Sequence, residues 1–429
     1  MTSKQEATQA IHSGNAVAVA DIVIVGGGPV GLLTACLLSD TGLKVVLVSA
    51  DKEVLTIAEL KDNSGSADFD ARVSALTVAS ENLLDSIGAW EAARSVRICP
   101  YQNMDVWDGE GTGSIHFAAA DIHADALGHI VENRIITSAL NEQALQRQNL
   151  ELIQGVSVQE INRLEPSNNL LAPKVVLKLS NGLDISASLL IGADGARSIV
   201  REQMGFSLRQ WDYGHQAIVT TVLTEQHHQY TAWQRFMSGG PLAFLPLHLP
   251  GVERTGQCYC SIVWSCVTEK AEGMSACSDP EFIDALNESF EYKLGAVLET
   301  GPRFSFPLYQ RHATEYVQDH VALVGDAAHT IHPLAGQGVN LGFSDARVLS
   351  EVIKQAIESG EEFASHQVLS RYQRRRKAEN LGMMGVMEGF KRLFGSEEPS
   401  LTWLRNTGMN LADQTPLIKR QLMRQAMGL

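Results

Sequence analysis

The tightest constraint on this chain lies between Asp21 and Val48. Asp21–Val25 is a short β-branched run of the kind that forms a strand buried on both faces. Gly26-Gly27-Gly28-Pro29-Val30-Gly31 follows at once, then the apolar Leu32–Leu38 as a helix and Lys44–Val48 as a second strand. This is GxGxxG in the setting that gives it meaning. Gly26 makes the turn, Gly28 lets backbone approach a pyrophosphate, and Gly31 lets the helix lie close to the strand. A Rossmann-like α/β fold follows. The carboxylate that ordinarily ends the second strand and binds ribose hydroxyls is replaced by Ser49, with Asp51 two residues on. Either Asp51 reaches back, or a serine hydroxyl holds the adenosine end less tightly than a carboxylate does.

A second segment narrows the ligand. Val321–Val324 is another short apolar run, ending in Gly325-Asp326, and a loop with Pro333 and Gly336 leads to Gly338-Val339-Asn340. From there Val339, Phe343, Ala346, Ile353 and Ile357 keep one helical face apolar. A strand thus delivers Asp326 to a turn, and a helix start presents backbone N–H groups. A carboxylate suits a polyhydroxy chain, and the N–H groups suit a polar ring edge. Combined with the first glycine loop, these features imply a flavin. Asp326 is expected on a ribityl hydroxyl and Pro333 at the ring's flank, and the helix start favours negative charge on the reduced ring.

Two further places fit the same site. Ala187–Ile191 reads as a strand leading to Gly192-Ala193-Asp194-Gly195, which suits the pyrophosphate region or a visiting cofactor. Arg72 lies beside an expected helix start whose inward side holds Leu76, Leu83, Leu84 and Ile87, within reach of a phosphate or the ring edge. His329 and His332, with Asp326 and Asp345, are residue types that ligate metals. Their spacing matches no known cage and the glycines would have no role in one, so no metal is expected.

Composition excludes several classes. A length of 429 residues favours two interlocked domains. A net charge of −15 argues against a nucleic-acid partner. No run of ~18 apolar residues is present to span a bilayer, and the polar first twenty residues do not read as a secretory signal. Six cysteines without a CxxC pair suggest reduced thiols in a reducing, cytoplasmic compartment. A second dinucleotide loop is absent, so a nicotinamide reductant must visit transiently. That absence, with no CxxxxC near the first helix, also argues against a flavin dehydrogenase or disulfide reductase.

The motifs GDAAHTIHPLAGQGVNLGFSDA, DFDARVSALTVASENLLDSIGAWE, GHIVENRIITSAL and LLIGADGARS, with QWDYGHQAIV, GGPLAFLPL, CSIVWS and the tail PLIKRQLMRQAMGL, carry a resemblance over nearly the whole chain from Asp21. It resembles the aromatic-ring hydroxylases of ubiquinone biosynthesis, class A FAD monooxygenases, and is most similar to the 2-polyprenylphenol hydroxylases acting at ring carbon 5. Ser49 departs from the family's usual glutamate. The resemblance implies a p-hydroxybenzoate-hydroxylase-like FAD domain with an inserted β-sheet substrate domain and a helical C-terminus. In that division residues 1–20 form a flexible tail, 21–98, 128–199 and 308–365 the FAD domain, 99–127 and 200–307 the sheet domain, and 366–429 the helical region.

FAD contacts are then expected at Gly26, Gly28, Gly31, Ser49, Arg72, Asp194, Gly325, Asp326, Pro333, Gly336, Gly338, Val339 and Asn340. The implied chemistry has NAD(P)H or another donor reduce FAD, O2 add at C4a, and the hydroperoxide hydroxylate a polyprenylphenol ring. Other ring positions of the same pathway, and a non-catalytic FAD-bound subunit of the biosynthetic assembly, stay open. Tyr213 and His215 are candidates to bond the phenol hydroxyl, beside a purely structural role. Ala217–Leu223, Ala243–Leu247 and Tyr259–Trp264 read as strands roofing the flavin, with Phe244, Ile262 and Trp264 lining a prenyl channel or simply the core. Arg371, Arg374, Arg375, Arg376 and Lys377 precede a stripe of Met383, Met387, Phe390 and Phe394. Residues 401–429 hold Arg405, Lys419, Arg420 and Arg424 against only Asp413, and this basic, amphipathic C-terminus suits peripheral contact with an inner-membrane surface, packing on the FAD domain, or a homo-oligomer interface.

Overall fold

The computed structural model describes residues 17–52, 54–63, 65, 67–164, 174–249, 256–330, 338–395 and 398–428. Along the chain run β1 (Val17–Val25), α1 (Pro29–Ser39), β2 (Val45–Val48), β3 (Val73–Thr77), α2 (Val78–Ser86), β4 (Asp184–Gly192), β5 (Leu208–Thr224), β6 (Phe304–Ala313) and β7 (Val321–Leu323). The helices α3 (Gly338–Glu358), α4 (His366–Phe394), α5 (Pro399–Gln414) and α6 (Pro416–Ala426) follow, with further elements between those named.

The first sheet is built where the sequence is most apolar. Ile22, Val23 and Ile24 of β1, Val45, Val46 and Leu47 of β2, and Leu189, Leu190 and Ile191 of β4 are fully buried. Each such side chain contributes about 1.5–3 kcal/mol when taken from water. β1 pairs in parallel with β2 on one side and β4 on the other, and β7 pairs in parallel with β4. Chain order therefore reverses between β1 and β4, where a crevice opens beyond the strands' carboxyl ends. β1 starts at Val17, which pairs with Asp184, so residues 17–20 are strand and not part of a tail. Residues 1–16 lie outside the described residues.

The second sheet holds nine strands, with β5 between β6 and Cys258–Val267. Leu242–Leu247, Thr231–Phe236, Asn103–Asp108 and Ser114–Ala118 continue it outward. His329–Thr330, just past Asp326, joins its other end by pairing with β6. A small third sheet pairs Gly128–Glu132 with β3 and with Cys99–Tyr101. The latter strand thus sits apart from the large sheet, although the sequence assigned 99–127 to the sheet domain. Leu76 is also strand, not helix: the Thr77 hydroxyl accepts from Ser80 N and starts α2 one residue later. Arg72 accordingly precedes a strand rather than a helix.

Among the described residues none of the six cysteines forms a disulfide, and only Cys277 is partly exposed. Among the described residues no helix is long and apolar enough to cross a membrane.

Candidate active site

The carboxyl ends of β1, β4 and β7 bring the three glycine segments together. Gly26 has φ +118°, and a Cβ there would stand 2.3 Å from Ala193 O, in the loop after β4. A Cβ on Gly31 would stand 2.0 Å from Gly26 O, which fixes how closely α1 approaches the turn. Gly28 differs: nothing lies within 4 Å of its Cβ position. It is also the N-cap of α1 and supplies no capping side chain. The first N–H groups of α1 are left for an anion from outside the helix. On the far side, Gly342 of α3 closes on α1, since a Cβ there would lie 2.5 Å from Val30 Cγ2.

Ser49 is buried at the end of β2. Its Oγ accepts from Asp51 N at 3.2 Å and lies 2.4 Å from where a Gly27 Cβ would stand. The hydroxyl therefore underlies the glycine loop, while Asp51 is exposed beyond it.

A cavity of about 510 Å³ opens in front of these loops. Gly28, Arg72, Gly325, Asp326, Gly338 and Val339 form one wall, and Ala217, Val219, Val263, Phe306, Leu308 and Tyr309 of the second sheet form the other. Asp326 sits deep among protein atoms yet exposes its carboxylate to this cavity. Burial pushes that carboxyl above the usual range, against the opposing pull of His329, Arg311 and Arg72. Arg72 is exposed, and its loop is held from below. Asp70 Oδ1 accepts from Arg72 N at 3.1 Å, and Glu132 Oε2 accepts from Asp70 N at 2.7 Å.

Asp194 lies at the same crevice. Its Oδ2 accepts from Val200 N at 3.1 Å, and burial raises its carboxyl pKa against the hydrogen bonds that lower it. Its Oδ1, and Thr330 Oγ1 on the cavity wall, find no hydrogen-bond partner among the described residues. Gly338, like Gly28, leaves open space where a Cβ would be. Unsatisfied acceptors, a facing carboxylate and two vacant glycine faces suit a large polar cofactor with an anionic middle, so the residues fit FAD.

Other expected contacts fall differently. Pro333 and Gly336 lie outside the described residues. The Asn340 side chain is committed to the scaffold: Oδ1 accepts from Ser80 Oγ at 2.7 Å and Thr77 N at 3.1 Å, and Nδ2 donates to Ala75 O at 2.8 Å. What Asn340 retains for a ligand is its backbone. Tyr213 and His215 do not border the cavity. Tyr213 packs on Ala217 and Leu308, behind the wall, and donates to Gln310 Oε1. Burial raises its hydroxyl pKa to about 12. His215 Nδ1 bonds Tyr213 O at 2.7 Å.

One arrangement escaped the sequence reading. Asp345 on α3 is fully buried, and its Oδ2 accepts from Gly325 N at 2.9 Å and faces His329 Nε2 at 2.6 Å. Its Oδ1 accepts from Arg376 Nε of α4 at 2.7 Å. Burial raises the Asp345 carboxyl, but His329 and Arg376 outweigh it and hold it below the usual range. Arg376 continues to Asn380 Oδ1 at 2.9 Å. Asn380 then reaches Tyr316 at 3.4 Å, and Tyr316 the His312 ring at 3.1 Å. The turn that presents Asp326 is thus pinned from behind by a charged chain. An acidic residue within the apolar stripe of α3 was the available signal.

A parallel β-core with glycine loops at its carboxyl ends, and a second sheet closing the cavity, defines a p-hydroxybenzoate-hydroxylase-like, FAD-dependent aromatic monooxygenase. The chain belongs to the FAD binding domain family, whose model matches residues 19–384. It is 36% identical to the mitochondrial ubiquinone biosynthesis monooxygenase COQ6 of Xenopus tropicalis, over 95% of this chain and 93% of that protein. It is 35% identical to the 3-demethoxyubiquinol 3-hydroxylase of Escherichia coli strain K12, over 95% and 98%. Among solved structures, p-nitrophenol 4-monooxygenase PnpA from Pseudomonas putida DLL-E4 shares the fold, with a TM-score of 0.73 at 21% identity over 96% of this chain and 99% of that one.

Proposed function

We propose that this enzyme hydroxylates the aromatic ring of a polyprenylphenol intermediate at carbon 5, in ubiquinone biosynthesis. One observation carries the reading. The cavity faces a carboxylate and two glycine loops on one side and the apolar Val219, Val263, Phe306 and Leu308 on the other. The first wall suits FAD, and the second an electron-rich ring with an apolar tail. The names of the relatives supply the pathway.

FAD, when bound, supplies two-electron chemistry with O2, using electrons from NAD(P)H or another donor. The chain's own residues would hold, orient and shield it. The Gly26–Gly31 loop and the α1 N–H groups would hold the pyrophosphate, with help from Asp194 and Arg72. Asp326 would take a ribityl hydroxyl, Ser49 would serve the adenosine end, and the backbone from Gly338 to Asn340 would serve the polar ring edge. The apolar wall excludes water, whose access would divert oxygen to peroxide. The domain division given above, with residues 17–20 moved into β1 and Cys99–Tyr101 into the small third sheet, peripheral placement at the inner membrane, and work within a biosynthetic assembly belong to the same proposal.

Quinone-intermediate profiling by mass spectrometry in cells lacking the gene tests it. A 2-polyprenylphenol, or a derivative lacking the carbon-5 oxygen, should accumulate. Build-up of an intermediate that already carries that oxygen would refute the ring position.

A further inference from the structure

The outermost helices of the chain expose apolar side chains on the face away from the protein, besides Met409, Ala412, Met423 and Met427 that pack inward. On α5 the polar residues point inward: Asn410 Oδ1 accepts from Ser114 N at 3.2 Å, and Asp413 Oδ1 accepts from His116 N at 3.1 Å. Arg405 is buried against Asp108. The opposite face carries Leu401, Leu404 and Leu411, at helical spacing and all exposed. Trp403 beside them is 68% exposed. Next in sequence, α6 buries Met423 and Met427 and turns Leu417 (80% exposed), Ile418 and Leu422 outward. A helix that packs only on its own protein keeps its outer face polar. Seven large apolar side chains exposed within two consecutive helices exceed the single exposed residues normal for a surface.

Charge identifies what covers them. The chain's net charge is −15, yet from residue 398 onward Arg405, Lys419, Arg420 and Arg424 face only Glu398 and Asp413. Arg420 and Arg424 are exposed and form no ion pair among the described residues. Arg424, Gln421 and Gln425 also border a recess of about 490 Å³ at the rim of this surface. An apolar helical face flanked by free cations and amide donors matches the boundary of an anionic bilayer, with side chains among acyl chains and cations at headgroup phosphates.

We propose that α5 and α6 form a monotopic docking surface for an anionic lipid bilayer. Of the two basic segments that the sequence offers, only the later one, in α5 and α6, contributes; the α4 segment does not. There Arg376 is buried with Asp345, Arg371 pairs with Glu361, and Lys377 Nζ donates to Thr314 O. Phe394 is buried and stacks on Phe236, while the Met387 and Phe390 side chains lie outside those described. The inference deepens the membrane placement proposed above. Vesicle binding is read without substrate, so its failure would leave the hydroxylase reading standing.

The test uses the full chain with FAD and sedimentation with phosphatidylcholine vesicles, with or without phosphatidylglycerol. The wild type should sediment with the anionic vesicles, more strongly at low salt. Leu404→Ser/Leu417→Ser should abolish binding, and Arg420→Glu/Arg424→Glu should weaken it roughly tenfold or more, each keeping its flavin. If the serine variant loses flavin, the charge variant decides. Failure of the wild type to bind, or undiminished binding by the charge variant, would overturn the proposal. A dimer in light scattering that the serine variant disrupts, without vesicle binding by the wild type, would make a second copy the occupant and also overturn it.

Discussion

Gly28 and Gly31 stand three residues apart in one loop, yet they answer to different constraints. Gly31 is required by the protein, since its Cβ would collide with Gly26 O at 2.0 Å. Gly28 has no such neighbour and faces the cavity. Gly28→Val should therefore fold, with thermal stability matching flavin-free wild type, and lose its yellow colour. Gly31→Val should lose folded protein altogether. Asp326→Ala removes a charged hydrogen-bonding group, worth roughly 1.5–3 kcal/mol, and should weaken FAD roughly tenfold to a hundredfold. Flavin absorbance and thermal melting read all three variants, and a fully yellow Gly28→Val would sink the placement of the cofactor. The glycines were legible because steric need is written in their spacing. Asn340 was not, because the sequence marks it as a hydrogen-bonding residue without naming Thr77, 263 positions away.

At the level of elements, strand cores announced themselves through β-branched runs, whereas boundaries were set by details the pattern did not weigh. Thr77 is the example: its side chain caps α2, so Leu76 finishes a strand instead of starting a helix. The polar chain from Asp345 to His312 was hidden for another reason. It joins β6, the turn after β7, α3 and α4, and only the fold assembles them. Its end titrates. Burial, with help from His329, Lys377 and Arg209, lowers the His312 pKa to about 4. An unfolded histidine titrates near ~6.5. Between these values the unfolded chain binds a proton that the native chain refuses, so this contribution to stability is lost as pH falls from 6.5 to about 4. The slope is at most about 1.4 kcal/mol per pH unit. His312→Gln keeps a polar partner for Tyr316 and removes the titration. Urea midpoints measured from pH 7 downward should fall less steeply for this variant than for wild type. Parallel curves would show that His312 titrates alike in the native and unfolded chains.

Across the whole molecule, the sequence resolved the flavin core better than the relation of its C-terminal helices to the rest. The basic residues there read alike, but their fates depend on acids far away in the chain. Arg376 meets Asp345 from 31 positions away, and Arg405 meets Asp108 from 297. The latter pair ties α5 to the second sheet through two hydrogen bonds, at 2.6 and 3.0 Å, with both side chains almost fully buried. Arg405 also donates to the carbonyls of Leu393 and Phe394, closing the turn out of α4. Removing one partner strands the other charge. Arg405→Met should leave Asp108 buried without its guanidinium and cost about 3–5 kcal/mol. Arg405→Met/Asp108→Asn should recover part of that, because the remaining group is neutral. The loss is local as well as global. α5 and α6 face the rest of the chain through this pair, Asn406, Asn410, Asp413, Lys419 and a few small apolar contacts at Met409, Ala412, Met423 and Met427, so limited proteolysis of Arg405→Met should release them first while flavin stays bound. Wild-type resistance of that segment in Arg405→Met would mean that Met423 and Met427, packed against the small sheet, suffice to hold it.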